Sequence, residues 1–462
     1  MAFFVSLLAF LLALTVLVTI HEFGHFWVAR KLGVKVLCFS FGFGHRIWHH
    51  YDKHGTEFAI RIIPLGGYIK MLDETEGPVP ANQLDKAFNR KSLWKRTAIV
   101  LAGPIANFLL AILLFWILFV KGIPGVAPIV STVEPGSIAA RAGIKINDEI
   151  KLVDGKSVST LESVFLAVLN HPADNSDVQL VIKRHTPHTT ADAKEKITIA
   201  IPTSQIANSD KHTTNVFSKL GLKFAEAAMP AIIGEVLPDS PALKAGFEVG
   251  DKIIKIDSHA VKNWQVAVSF IRAHPDEVVD ITIERKGQIY TIPVELTAIS
   301  IRDQKRIGQL GIMVQTQTLP NAYLRVERYN PISALGKSIQ KVGSLSWLTL
   351  KMLGNMAFNR TTWDHLNGPV SIAQGAGQSA KLGVFAYLHF LALISISLGV
   401  LNLLPIPILD GGHLFYYAIE AIRGKPLGER GQQIATSIGL SILLLLMTIA
   451  FYNDFVNVLS SS

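Results

Sequence analysis

His21, Glu22 and His25 stand in the order H-E-x-x-H. Residues four apart on a helix share a face, so both imidazoles can reach one metal ion. Glu22 sits beside the first of them, where it can take a proton from an activated water. Zinc lowers the pKa of such a water to about 7, which lets a carboxylate complete the activation at neutral pH. A catalytic zinc takes three protein ligands and keeps one position open. The run from Asn402 to His413, NLLPIPILDGGH, offers two candidates for the third, Asp410 and His413, and spacing alone does not choose between them. Pro405 and Pro407 remove backbone donors and break a helix, and Gly411-Gly412 adds conformational freedom.

These residues need elements that bring them together. Apolar residues make up 49% of the 462 and charged residues 17%, with a mean hydropathy of +0.35. About 25% charged is usual in soluble domains. Four stretches lack Asp, Glu, Lys and Arg over bilayer-crossing lengths: Met1 to Ile20, Thr97 to Val120, Leu382 to Leu409 and Gly431 to Asn453. The first lacks a basic n-region and is too long for a signal-peptide core, so it reads as a retained span. Two His and a Glu at the end of a membrane helix are costly without partners, which favours a functional site over a chance polar cluster.

Orientation follows from charge. Arg30 to Arg96 holds 12 Lys+Arg against 6 Asp+Glu, and a short later loop carries Arg423, Lys425 and Arg430. The positive-inside rule puts both in the cytoplasm, with both termini and the segment from Lys121 to Lys381 exported. The net charge of +9 then reads as basic loops beside anionic lipid, not as a nucleic-acid surface. Cys38, the only cysteine, excludes an internal disulfide and lies on the reducing side. Spans one and three both run from outside to inside, so their C-terminal ends share one membrane face, where His21 and His25 can meet Asp410 or His413.

The exported segment repeats at an offset of 103 residues. Ile129 to Val158 aligns without a gap on Ile232 to Val261, with 11 of 30 positions identical. Each unit reads as a strand, Pro-x-Ser-x-Ala, a short helix ending at Gly143 or Gly246, and a strand running to a turn at Asp154 or Asp257. A helix C′ glycine supplies the positive φ such an end needs. The pattern resembles PDZ domains of the protease-associated type, which implies peptide capture by strand addition, against a plain spacer. Between the first two spans, SFGFGHRIWHH and TEFAIRIIPLGGYIKML read as strands with a turn at Gly66-Gly67, either a clamp for an unfolded peptide or a cover. Ile332 to Phe358 reads as an amphipathic helix at the outer interface or as a core helix.

HEFGH, FGFGHRIW, IPLGGYIKMLDE, AGPIANF, NGPVSIAQGAG and NLLPIPILDGG, with the PDZ pair, resemble the site-2 protease family of intramembrane zinc metalloproteases over almost the whole chain. The resemblance implies one Zn2+ per chain held by His21, His25 and Asp410, Glu22 as general base, and His413 outside the coordination. It also implies substrate contacts at Asn402, Asn367 and Pro405, and the strand-rich segment adds Gly66 and Gly67. The implied activity is cleavage of single-span membrane proteins: an anti-sigma factor already trimmed outside, and remnant signal peptides. Partners are membrane-embedded substrates, peptide segments at the PDZ-like domains and the lipid bilayer of a bacterial inner membrane, with no nucleic acid.

The expected fold is a multi-pass α-helical membrane protein with four transmembrane helices, a cytoplasmic-side membrane-associated β-sheet and two exported PDZ-like α+β domains in tandem. The expected segments are span one with HExxH (1–30), the β-rich part (31–96), span two (97–120), the PDZ-like domains (121–220 and 221–315), an exported-side amphipathic helical part (316–380), span three with NxxPxPxLDG (381–412), a cytoplasmic loop or helix (413–430) and span four (431–455). A non-catalytic PDZ scaffold would not need the Glu22 carboxylate. A metal transporter would carry polar residues along several spans, and spans two and four have almost none.

Overall fold

The computed structural model describes residues 2–171, 177–184, 195–201, 217, 220–224, 230–300, 306–315, 323–358 and 368–461. Contacts divide the chain into two compact units, one of Met1–Ile123 with Glu327–Phe455 and one built on Pro124–Val326.

Among the described residues, the first unit holds all or most of seven helices: α1 Ala2–Lys31, α2 Leu93–Lys121, α3 Pro331–Phe358, α4 Pro369–Leu382, α5 Val384–Asn402, α6 Asp410–Arg423 and α7 Glu429–Ser461. Four of them contain runs long and apolar enough to cross a membrane: Phe4–Lys31, Leu93–Lys121, Val384–Asn402 and Arg430–Phe455. They correspond to the four apolar stretches of the sequence. The third is shorter than its stretch, because the helix stops at Asn402. Pro405 and Pro407 cannot donate to the preceding turn, so Leu403–Leu409 is irregular and a new helix begins at Asp410. The helices close on a core of Ala13, Leu17, Ala111, Phe115, Ile396 and Val400. The helical part expected over 316–380 contains two helices among the described residues, α3 and α4, with residues 359–367 outside the described set.

Between α1 and α2 lie two long strands, β1 Val36–Tyr51 and β2 Glu57–Met71, which fold back on each other. Val36–Phe41 pairs with Gly67–Met71 on one edge and with Glu57–Ile60 on the other, and Glu57–Ile60 pairs in turn with Trp48–Tyr51. The reversal lies at Asp52–Thr56, where Asp52 accepts from the Thr56 and His54 amides and pairs with Arg30 of α1. Gly66-Gly67 is therefore not the turn the sequence suggests. Gly66 takes φ +117° inside β2 and bends that strand, while Gly67 passes so close to β1 that a Cβ would lie 2.4 Å from the Ser40 carbonyl. Edge-to-face contacts of Phe26 with Phe39 and Phe58 fasten the sheet to α1.

In the second unit the two repeats build the same sheet. Strand order is Lys156–Ser157, Glu149–Val153, Val178–Arg184, Glu195–Ile201 in the first copy, and His259–Ala260, Lys252–Ile256, Val278–Arg285, Gln288–Glu295 in the second. Three of the matched pairs have a backbone task. Ser137 and Ser240 cap short helices by accepting from Ala140 and Leu243, both at 3.2 Å. Gly143, just past the C-cap Ala142, and Gly246, itself the C-cap, end these helices at φ of +87° and +86°. Buried Asp148 and Asp251 accept from backbone amides three residues earlier and take a bidentate Arg184 or Arg285.

Candidate metal centre

Three ligand atoms converge where α1 meets the start of α6. His21 Nε2 and His25 Nε2 lie 3.2 Å apart, and Asp410 Oδ2 is 3.0 Å from the first and 3.5 Å from the second. Both imidazoles are buried, at 7% and 5% exposure, and Oδ2 has no hydrogen-bond partner among the described residues. Three electron-rich atoms packed this tightly leave a buried polar demand that a cation satisfies. A tetrahedral zinc with bonds of about 2.0–2.1 Å holds its ligand atoms about 3.3 Å apart, and these separations match. His25 Nδ1 lies 2.8 Å from the Ile99 carbonyl, to which it can only donate, so its Nε2 carries the lone pair. The residues therefore fit zinc. Glu22 directly follows His21 on α1 and stands within electrostatic reach of all three.

The backbone around Asp410 is tightly constrained. Ile408, a β-branched residue, is held at φ +100°, a strained conformation that surrounding structure must enforce. Gly411 and Gly412 are helical and do not use positive φ. They are needed for space: a Cβ would lie 2.1 Å from the Leu404 carbonyl and 2.6 Å from that of Ile406. This corrects the reading of the pair as a source of conformational freedom. Asp410 occupies the first turn of α6, where a helix favours an anion. Arg96 of α2 pairs with Glu420 and lies over the Tyr417 ring, tying the far end of α6 in place.

The other candidates are placed as follows. His413 lies one turn along α6, against Tyr416, and is outside the three-residue cluster. Asn402 ends α5, and Pro405 stands in the linker before Asp410. Gly66 lies beside α1, where a Cβ would meet Val18 at 3.7 Å. Asn367 is outside the described residues. The residues that follow it dock on α7: Asp454 accepts from the amides of Gly368, Val370 and Ser371, which leaves no room for a Cβ at Gly368.

Sequence reasoning gave no role to α2, yet AGPIANF lies against the cluster. Gly24 of α1 packs on Ala102, where a Cβ would be 2.2 Å from the carbonyl. A Cβ on Gly103 would lie 2.3 Å from His25 Nε2. Asn107, fully buried, has Nδ2 3.1 Å from His21 Nδ1. The signal available was the G-x-x-x-N spacing, which puts both residues on one helix face.

Comparison with known proteins bears on this site. The profile of peptidase family M50 matches residues 9–446. The chain is 41% identical over 458 residues to the regulator of sigma-E protease RseP of Escherichia coli, covering 98% of this chain and 99% of that one. It is 41% identical over 454 residues to protease RseP of Yersinia pestis (97% and 98%). It is also 40% identical over 454 residues to a Vibrio cholerae protein whose name describes a zinc metalloprotease (97% and 98%). Among solved structures, the PDZ domain of an SdrC-like protein of Listeria innocua covers 20% of this chain and 99% of its own at 26% identity, with a TM-score of 0.17.

Proposed function

Because the chain belongs to peptidase family M50, a zinc metalloprotease acting in regulated intramembrane proteolysis at the inner membrane, we propose that His21, His25 and Asp410 hold one zinc ion and that Glu22 is the general base. The observation that carries this is the 3.0–3.5 Å spacing of three buried ligand atoms with Glu22 beside them. Zinc bound there supplies a Lewis acid for the scissile carbonyl and acidifies a water. Glu22 takes the proton of the attacking water and delivers it to the leaving amine as the C–N bond breaks. His25, anchored on Ile99, holds its ligand nitrogen without further reorganisation.

The substrates we propose are single-span membrane proteins: an anti-sigma factor whose exported domain has been trimmed, and remnant signal peptides. A helical peptide bond is shielded by its own hydrogen bonds, so the substrate must unwind before attack. The outer edge of Gly67–Met71, which pairs only with Val36–Phe41 among the described strands, supports binding of the unwound segment as an added strand near Gly66 and Gly67. Asn402, Pro405 and Asn367 are proposed to contact the substrate, and the PDZ-like domains peptide segments of exported proteins.

Glu22→Gln tests the mechanism. The amide cannot accept the proton, so the variant should retain zinc while cleavage of a trimmed single-span substrate falls by about a hundredfold or more. Equal activity of the variant and the wild type would overturn it.

A further inference from the structure

A zinc ligand must present a lone pair, and in an imidazole the partner of the other nitrogen decides where that lone pair sits. The Ile99 carbonyl decides it for His25. For His21 the partner is Asn107, the residue of α2 whose amide lies 3.1 Å from Nδ1. Asn107 is 0% exposed and its Oδ1 has no partner among the described residues. Its backbone is fixed as well, since the Asn107 carbonyl accepts from Ser395 Oγ of α5 at 2.8 Å, another fully buried group.

The two ends of a carboxamide exchange by a half-turn about one bond, and they have opposite consequences here. With Nδ2 towards His21, Nδ1 accepts, Nε2 carries the proton, and His21 has no lone pair for a metal. With Oδ1 towards His21, Nδ1 donates, Nε2 is free, and the ring is held at the angle that points it at His25 and Asp410. Only the second state is compatible with three ligands. It also gives the unpartnered carbonyl oxygen a donor.

We propose that Asn107 is the positioning residue for His21, accepting its Nδ1–H through Oδ1 and so fixing the metal-binding tautomer. This rests on the reading of His21 as a zinc ligand. Gly103, one turn earlier, completes the arrangement: the same face of α2 leaves space for the two rings at one turn and grips one of them at the next.

The test compares zinc affinity of the purified full chain by chelator competition, together with the visible spectrum of the Co2+-substituted protein. Asn107→Leu should weaken zinc binding by about 10–100-fold, as loss of a ligand's hydrogen-bond partner does, and should alter the cobalt bands. Asn107→Asp, which keeps an acceptor and loses the donor, should restore both. Three results would overturn the proposal: wild-type affinity in Asn107→Leu, equal loss in Asn107→Asp, or unchanged cobalt bands. His21→Ala separates the two readings. If His21→Ala keeps zinc, the ligand assignment itself fails; if it loses zinc while Asn107→Leu does not, only the positioning role fails.

Discussion

At the scale of single residues, the centre depends on absent atoms as much as on present ones. HExxH and LDG announce themselves because His, Glu and Asp are chemically loud. Gly103 is silent in the sequence, since a glycine in an apolar span has many possible reasons. Its reason here is the 2.3 Å that would separate a Cβ from His25 Nε2. Gly103→Ala should therefore lower zinc occupancy about tenfold or more, because a displaced ligand ring costs affinity on that scale. Gly336→Ala on α3, where nothing lies within 4 Å, is the matched control. It should leave occupancy unchanged and favour its helix by up to about 1 kcal/mol. Zinc content by atomic absorption distinguishes them, and equal content in both variants would remove Gly103 from the site.

At the scale of elements, the repeat was legible because several matched residues hold backbone, a cap serine, a left-handed glycine and a buried aspartate, while others such as Ile150 and Ile253 fill the cores. The partner of that aspartate was missed. Arg184 and Arg285 are 101 residues apart whereas the repeat offset is 103, so the ungapped alignment ends before reaching them. The sheet between α1 and α2 was misread for a related reason. Gly66-Gly67 looks like a hairpin turn locally, but its bend serves pairing with a strand almost 30 residues earlier. The arginine pairs give a prediction at this scale. Asp251 is 1% exposed and Arg285 is its bidentate partner. Arg285→Met leaves that carboxylate buried and uncompensated, which costs about 3–5 kcal/mol. The second PDZ-like copy should become protease-sensitive in the intact chain, with zinc content unchanged. Unaltered proteolysis would mean that water or another group compensates Asp251.

At the scale of the whole molecule, span parity was the most informative inference. A ligand pair at the end of the first span and an aspartate after the third can meet only if both spans run the same way, and the cluster joins these two places. Which membrane face carries that end follows only from the basic loops, since bilayer asymmetry is written in charge and not in packing. Cys38 would be the natural reporter, but it is buried in β1 and would resist labelling on either side. Exposed positions serve better: Lys53 at the β1–β2 reversal and Ser258 in the second repeat. In a Cys38→Ser background, Ser258→Cys should react with a membrane-impermeant maleimide in spheroplasts, and Lys53→Cys only after the membrane is disrupted. The reverse pattern would invert the topology and put His21, His25 and Asp410 at the outer face. Both residues reacting in spheroplasts would instead break the parity argument, because Lys53 and Ser258 are separated by one span, α2.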